Sequence, residues 1–221
     1  MHLVFGFPAP IILALLLNEI KKSFIKRTVQ TITYLPHFLS WVIVGGFVVN
    51  ILSPNQGIIA KISELLTGQK SELFLMIEPK AFPWILVFSA IWQSVGWGSI
   101  IYIAAISGIN PELYEVAIID GGNRWQQMWY ITLPSIMPTI FVLLILRMGH
   151  IMGSNFEQIY VLYNPNVYST GDVISTYVFR GGLGKGNYSF SAAIGLFQSV
   201  IGFVLMMIAN KASKKFGRSL W

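Results

Sequence analysis

Apolar residues run along the chain in five blocks, separated by shorter stretches where charges, glycines and prolines gather. The blocks cover about Leu3–Leu17, Pro36–Leu52, Phe82–Ile109, Pro138–Phe156 and Phe190–Ala209. A helix needs about 20 apolar residues, within a range of about 17 to 25, to cross a hydrocarbon core about 30 Å thick. The blocks approach or exceed that length, so the pattern predicts an all-α membrane protein with five transmembrane helices. Pro8 and Pro10 fall near the start of the first block, where no intrahelical N–H bond is yet owed. Between the second and third blocks Ile58, Ile59, Ile62, Leu65 and Leu66 recur on one helical face behind a Ser-Pro-Asn-Gln-Gly turn. That spacing predicts a short helix lying in the membrane interface. The stretch from Glu157 to Ser189 is rich in turn residues and reads as a long functional or mobile loop.

Composition agrees with the pattern. The 221 residues are 54% hydrophobic and 11% charged, and mean hydropathy is +0.64. That is too little charge to cover a water-soluble globule of this size. The net charge of +6 comes from short clusters beside the apolar blocks rather than one broad stripe, which favours membrane topology over nucleic-acid binding. Lys21, Lys22, Lys26 and Arg27 follow the first block, Arg124 precedes the fourth, and Lys211, Lys214, Lys215 and Arg218 follow the fifth. The opposite side holds Lys61, Lys70, Lys80, Arg180 and Lys185, diluted by Glu64, Glu72, Glu78 and Asp172. The positive-inside rule places the first set in the cytoplasm, so the chain starts outside and ends inside. No positive charge precedes the first apolar run, unlike a signal peptide. The expectation is a single transmembrane domain over residues 1–221 that lacks an upstream span. The sequence has no cysteine, and His2, His37 and His150 are scattered, so no metal site is expected.

Residues 115–134, Glu-Val-Ala-Ile-Ile-Asp-Gly-Gly-Asn-Arg-Trp-Gln-Gln-Met-Trp-Tyr-Ile-Thr-Leu-Pro, are unusually polar for their place between two greasy blocks. Asn110 suits an N-cap, Pro111 a first helical position, and Glu112 and Glu115 favour the positive end of a helix dipole. The helix should stop at Gly121-Gly122, and Asn123 should cap a second short helix reaching Tyr130, broken by Pro134 and Pro138. Leu113, Val116, Ile119, Trp125, Met128 and Trp129 then make a cytoplasmic docking knob, or a helix lying on the inner leaflet.

The pattern Glu115-Val116-Ala117, Gly121, Ile131, Leu133 and Pro134 resembles the EAA motif of permease subunits in binding-protein-dependent ABC importers. Asp120 and the stretch after it are similar to the oligosaccharide branch of that family, and Val116 stands where alanine is usual. Phe5–Ile20, Thr31–Gly46, Asn155–Leu183 and Ser189–Lys211 are similar to polysaccharide-type permeases that resemble the maltose permeases. The resemblance covers nearly the whole chain. It implies a six-span family fold, with residues 110–134 as a cytoplasmic coupling loop between spans three and four. It implies bacterial inner-membrane localisation and no cofactor on this chain, because ATP and Mg are used by a separate ATP-binding subunit dimer. The other implied partners are a second homologous permease and an extracytoplasmic solute-binding protein.

Gly181–Asn187 does not form a phosphate loop, because Phe179 stands where the first glycine belongs and Gly186 where Ser or Thr belongs. Arg147 falls inside the fourth block, where a charge at mid-membrane costs at least about 2.5 kcal/mol on insertion scales. His150, Ser154, Asn155 and then Glu157 or Gln158 follow at roughly helical intervals. Together with aromatic faces such as Trp92, Trp97 or Tyr102, this stripe either lines a sugar path or is buried against another helix. The glycines of Ser94–Ser99, Gly45-Gly46, Gly195 and Gly202 are expected at close helix contacts. A membrane-embedded enzyme acting on lipid or lipid-linked sugar is the alternative function, although no catalytic set is evident.

Overall fold

The computed structural model describes residues 1–54, 57–67, 74–153 and 155–214, and their regular structure is entirely helical. Along the chain run α1 (His2–Glu19), α2 (Ser23–Phe38), α3 (Trp41–Leu52), α4 (Ile58–Thr67), α5 (Phe82–Ser107) and α6 (Glu112–Ile119). They are followed by α7 (Arg124–Gly149), α8 (Phe156–Leu162), α9 (Tyr168–Gly171), α10 (Ile174–Gly181) and α11 (Tyr188–Lys214). Helices α1, α5, α7 and α11 are each long and apolar enough to cross a membrane. Helices α2 and α3 meet that test only together, as a pair bent by 103°. Where the sequence pattern predicted five simple spans, among the described residues four stand alone and a fifth exists only if the bent pair crosses as one.

The bend has a local cause. Pro36 lacks an N–H, and the chain tightens into a 3-10 turn over Leu35–Phe38 before Leu39 becomes extended at φ −83° and ψ 133°. Ser40 then caps α3 by accepting from the Ile43 N–H at 3.4 Å. The freed Leu39 carbonyl accepts from Gln93 Nε2 of α5 at 3.2 Å, which fastens the break to the centre of the bundle. With 12 residues, α3 is only about 18 Å long at about 1.5 Å per residue.

Two other boundaries differ from the sequence expectation. Pro134 and Pro138 do not interrupt α7, which is continuous over 26 residues. A π-helical stretch over Met128–Thr132 precedes Pro134, and the Leu133 N–H reaches back to the Met128 carbonyl. The Ser135 hydroxyl donates to the Ile131 carbonyl at 2.7 Å, next to the amide that proline lacks. At its other end α7 stops at Gly149 rather than continuing to Phe156. His150 turns out of the helix, and Asn155 adopts a left-handed φ of +68° before α8 begins, a conformation asparagine tolerates. Helix α4 forms over the residues whose periodicity predicted it, whereas the stretch Glu157–Ser189 read as a loop contains most of α8, all of α9 and α10, and the start of α11.

Helix α5 is the hub. At its start Phe82 and Leu86 pack with Met76, Ile159, Leu162 and Val167. At its end Tyr102 and Ile106 pack with Ile11, Ala14 and Ile136. Gly96 lies directly against the Thr33 backbone of α2, and Gly202 of α11 lies against the Gly149 carbonyl of α7, so neither position has room for a side chain. Gly45 meets the Val161 side chain of α8, whereas Gly46 and Gly195 face open space in this chain. Small residues thus set the crossings, as lipid offers no hydrophobic drive for helix association.

The cap formed by α8–α10 is braced by polar groups. The Thr176 hydroxyl donates to Asp172 Oδ1 at 2.7 Å, and Arg180 Nη2 donates to Asp172 Oδ2 at 2.7 Å. The guanidinium stacks over Tyr168 at 4.4 Å from the ring centroid. Burial works against charge on the Asp172 carboxyl, yet the hydrogen bonds from Arg180 and Thr176 and the guanidinium charge hold it below its ordinary value.

Gly96→Val should lower the stability of the solubilised chain by about 1–3 kcal/mol, the usual range for overpacking, as read by thermal unfolding in detergent. Gly195→Ala should leave it nearly unchanged. The lowered Asp172 pKa means its ion pair is intact at neutral pH and is lost as pH falls through a value below the ordinary 3.8. Amide exchange across residues 163–181 should therefore quicken on acidification in the native chain. In Asp172→Asn it should already be fast at pH 7 and change little.

Candidate functional site

Two places collect the sequence-predicted residues. The first is α6 and the turn after it. Asn110 Oδ1 accepts from the Glu112 N–H at 3.1 Å, so the asparagine caps the helix as expected although the regular turns begin at Glu112. At the other end the Gly122 N–H reaches the Ala117 carbonyl at 2.7 Å and the Gly121 N–H reaches the Ile118 carbonyl at 3.1 Å. This reciprocal pair is a Schellman motif with Gly121 in its left-handed position at φ +77°. Nothing lies within 4 Å of a Cβ placed on Gly121, so backbone conformation and not space calls for glycine there.

Asn123 then opens α7 with a capping box. Its Oδ1 accepts from the Gln126 N–H at 2.9 Å, and Gln126 Oε1 accepts from the Asn123 N–H at 2.7 Å. The turn is also tied to the membrane helices. Arg124 Nη1 donates to Glu19 Oε2 of α1 at 3.0 Å, and the Tyr114 and Thr132 hydroxyls share a 2.9 Å hydrogen bond. Glu115, Val116 and Asp120 are exposed, Ala117 is half-buried, and Ile118 and Ile119 are 63% and 84% exposed. Leu133 instead packs into the core with Ile136, while Ile131 is half-buried and Pro134 is exposed at the base of α7. The motif therefore divides into an exposed knob and a foot embedded in the bundle.

The second place is a cavity of about 370 Å³ between α1, α3, α5 and α7. Its polar lining includes His2, Gln93, Ser94, Arg147 and Asn155, with Trp41, Trp97 and Tyr102 as aromatic walls. Trp97 is held by a stack on His37, centroids 4.7 Å apart and nearly parallel at 6°. Among the described residues of the stripe expected to follow Arg147, Asn155 alone shares this cavity, because α7 ends before the stripe does. His150 is exposed, with Nδ1 3.0 Å from the Leu146 carbonyl, and Glu157 is exposed on α8. Gln158 is fully buried and donates from Nε2 to the Leu86 carbonyl at 2.6 Å and to the Ser89 hydroxyl at 2.9 Å, so it braces α8 on α5. Trp92 lines a separate apolar groove with Phe47 and Phe88. Ser154 lies outside the described residues, as do Lys70, Glu72, Lys215 and Arg218. His2, Gln93 and Trp41 escaped the sequence reading, since nothing local to them signals a cavity assembled from four helices.

The described residues contain no group of three or more His, Asp or Glu side chains placed to hold a metal ion.

Residues 6–218 match the family described as the binding-protein-dependent transport system inner membrane component. Protein LplB of Bacillus subtilis is 44% identical over 98% of this chain and 67% of its own length. The polygalacturonan/rhamnogalacturonan transport system permease protein YteP of the same organism is 42% identical over 98% of this chain and 67% of its own length. A subunit in the crystal structure of a bacterial alginate ABC transporter, in complex with an alginate pentasaccharide-bound periplasmic protein, superposes with a TM-score of 0.93. It is 45% identical and covers 99% of this chain and 75% of that one. The alternative of a membrane-embedded enzyme falls with this match. The chain belongs to the family of binding-protein-dependent transport system inner membrane components, and is a multi-pass ABC permease subunit rather than an enzyme.

Proposed function

We propose that this chain forms part of the translocation path for oligosaccharides or polysaccharide fragments in an ATP-driven importer of the bacterial cytoplasmic membrane. In this reading it pairs with a second homologous permease, receives substrate from an extracytoplasmic solute-binding protein, and is driven by a separate ATP-binding subunit dimer that uses ATP and Mg. Residues 110–134 are the cytoplasmic coupling loop. The observation that carries the reading is the exposed apolar surface of α6 on a turn fixed at both ends. A lever transmits force only if it is stiff and has a surface to be gripped. The Schellman turn, the capping box and the tie to Glu19 supply stiffness. Val116, Ile118, Ile119 and Trp125 supply the grip, with Glu115 and Asp120 beside them for polar contacts. The relatives named for saccharide transport and the alginate transporter support the substrate class and the partners.

Gly121→Asp or Glu115→Lys should abolish ATP-dependent uptake while the protein still inserts and accumulates normally. Retained uptake in either variant overturns the coupling role. Because the sequence has no cysteine, a single cysteine at Asp120 can be labelled without background. It should react with an impermeant thiol reagent only from the cytoplasmic side and should crosslink to the ATP-binding subunit. The Arg124–Glu19 bridge is partly exposed, with side chains 56% and 35% accessible, and such pairs are worth about 0.2–1 kcal/mol. Glu19→Arg or Arg124→Glu alone should therefore reduce uptake by a few fold, and the double charge swap should restore it.

A further inference from the structure

The polar cavity between α1, α3, α5 and α7 has a one-sided charge. Its lining contains Arg147 and His2 but no Asp or Glu. Among the described residues the ion pairs are Arg124 with Glu19 and Arg180 with Asp172, so the Arg147 guanidinium has no carboxylate partner. His2 Nε2 is a second unmet group, buried without a hydrogen-bond partner. Arg147 is exposed where it lines the cavity, in the last turn of α7, and a guanidinium fits the two oxygens of a carboxylate with parallel hydrogen bonds. Around these groups stand Trp41, Trp97 and Tyr102, flat apolar surfaces of the sort that cover sugar rings, with Gln93 beside them. At about 370 Å³ the space falls within the roughly 300–1,000 Å³ of small-molecule sites.

We propose that this cavity receives the carboxylate of an acidic sugar unit, with Arg147 as its ion partner and His2 as a supporting polar contact. The chain then carries uronate-containing oligosaccharides in preference to neutral ones. This rests on the importer reading above and adds the charge of the cargo to it.

The test is ATP-driven uptake into proteoliposomes holding this chain with its partner permease, ATP-binding subunits and solute-binding protein. The probes are trimers of galacturonate, mannuronate and glucuronate, and the same trimers as neutral methyl esters. The binding protein is identical throughout, so differences between variants report on the membrane subunit. The native importer should take up at least one free acid at least tenfold faster than its ester. Arg147→Gln should lose at least tenfold of that uptake and bring the acid-to-ester ratio down toward one, Arg147→Lys should keep most of it, and His2→Gln should lose a few fold. Equal handling of acid and ester, or unchanged acid uptake in Arg147→Gln, overturns the proposal and leaves the importer reading standing. So does loss of co-purification with the partner permease in Arg147→Gln, which would make the arginine an interface residue. Absence of uptake of every one of these probes overturns the acidic-cargo proposal, and the importer reading falls with it only if neutral trimers of glucose, xylose and arabinose also show no ATP- and binding-protein-dependent uptake.

Discussion

Backbone contact at a few glycines is the constraint on which the bundle rests. In lipid, apolar side chains gain little by leaving their surroundings, so helices associate through close packing and hydrogen bonds instead. Gly96 brings α5 onto the Thr33 backbone, and Gly202 brings α11 onto the Gly149 carbonyl. A side chain at either position would push two helices apart along their length. The polar contacts that do cross between helices lie close to these approaches. Gln93, one turn before Gly96, donates to the Leu39 carbonyl, and Gln198, one turn before Gly202, donates to the Met152 carbonyl at 3.0 Å. Each of these carbonyls lies outside regular helix, where no intrahelical donor reaches it.

The same economy shapes α6. Eight residues make a marginal helix by themselves, because nucleation is costly and few intrahelical bonds follow it. Asn110 at one end and the paired bonds to Ala117 and Ile118 at the other satisfy most of the groups that a short helix leaves open. The apolar residues on its surface contribute nothing to the isolated chain, since Ile119 is 84% exposed. In the reading proposed above they are covered by the ATP-binding subunit, and the caps keep the helix formed while it is uncovered.

Local rules made much of this legible. The N-cap at Asn110, the glycine stop, the box opened by Asn123 and the α4 helix all depend on residues within a few positions of one another. The misread boundaries depend on partners elsewhere. Pro36 and Ser40 are breakers in plain view, but the bend between α2 and α3 is stabilised by Gln93, more than 50 residues away. Pro134 reads as a break because a regular helix requires its N–H, and the wider π turn before it removes that requirement. Gly149 ends α7 inside an apolar run, so hydropathy extended the span to Phe156 and placed the following polar residues on a helix that no longer exists there. On that basis Gln158 reads as either a path residue or one buried against another helix, and it is buried. Its burial against Leu86 and Ser89 depends on where α8 folds back, which no spacing in the sequence encodes.

The bend between α2 and α3 also builds the cavity. His37 precedes the break and stacks on Trp97, while Trp41 follows it and forms part of the lining. A straight span through this region would carry both residues along one axis, and the two aromatic walls would not face a common space. Gln93 bonds the break and lines the cavity, so the group that fixes the geometry is also exposed to whatever enters. Opposite it, the end of α7 at Gly149 leaves Arg147 in the last helical turn, where the carbonyl ends of the helix dipole favour a cation. The arginine is therefore stabilised in place by the helix terminus while its guanidinium remains available.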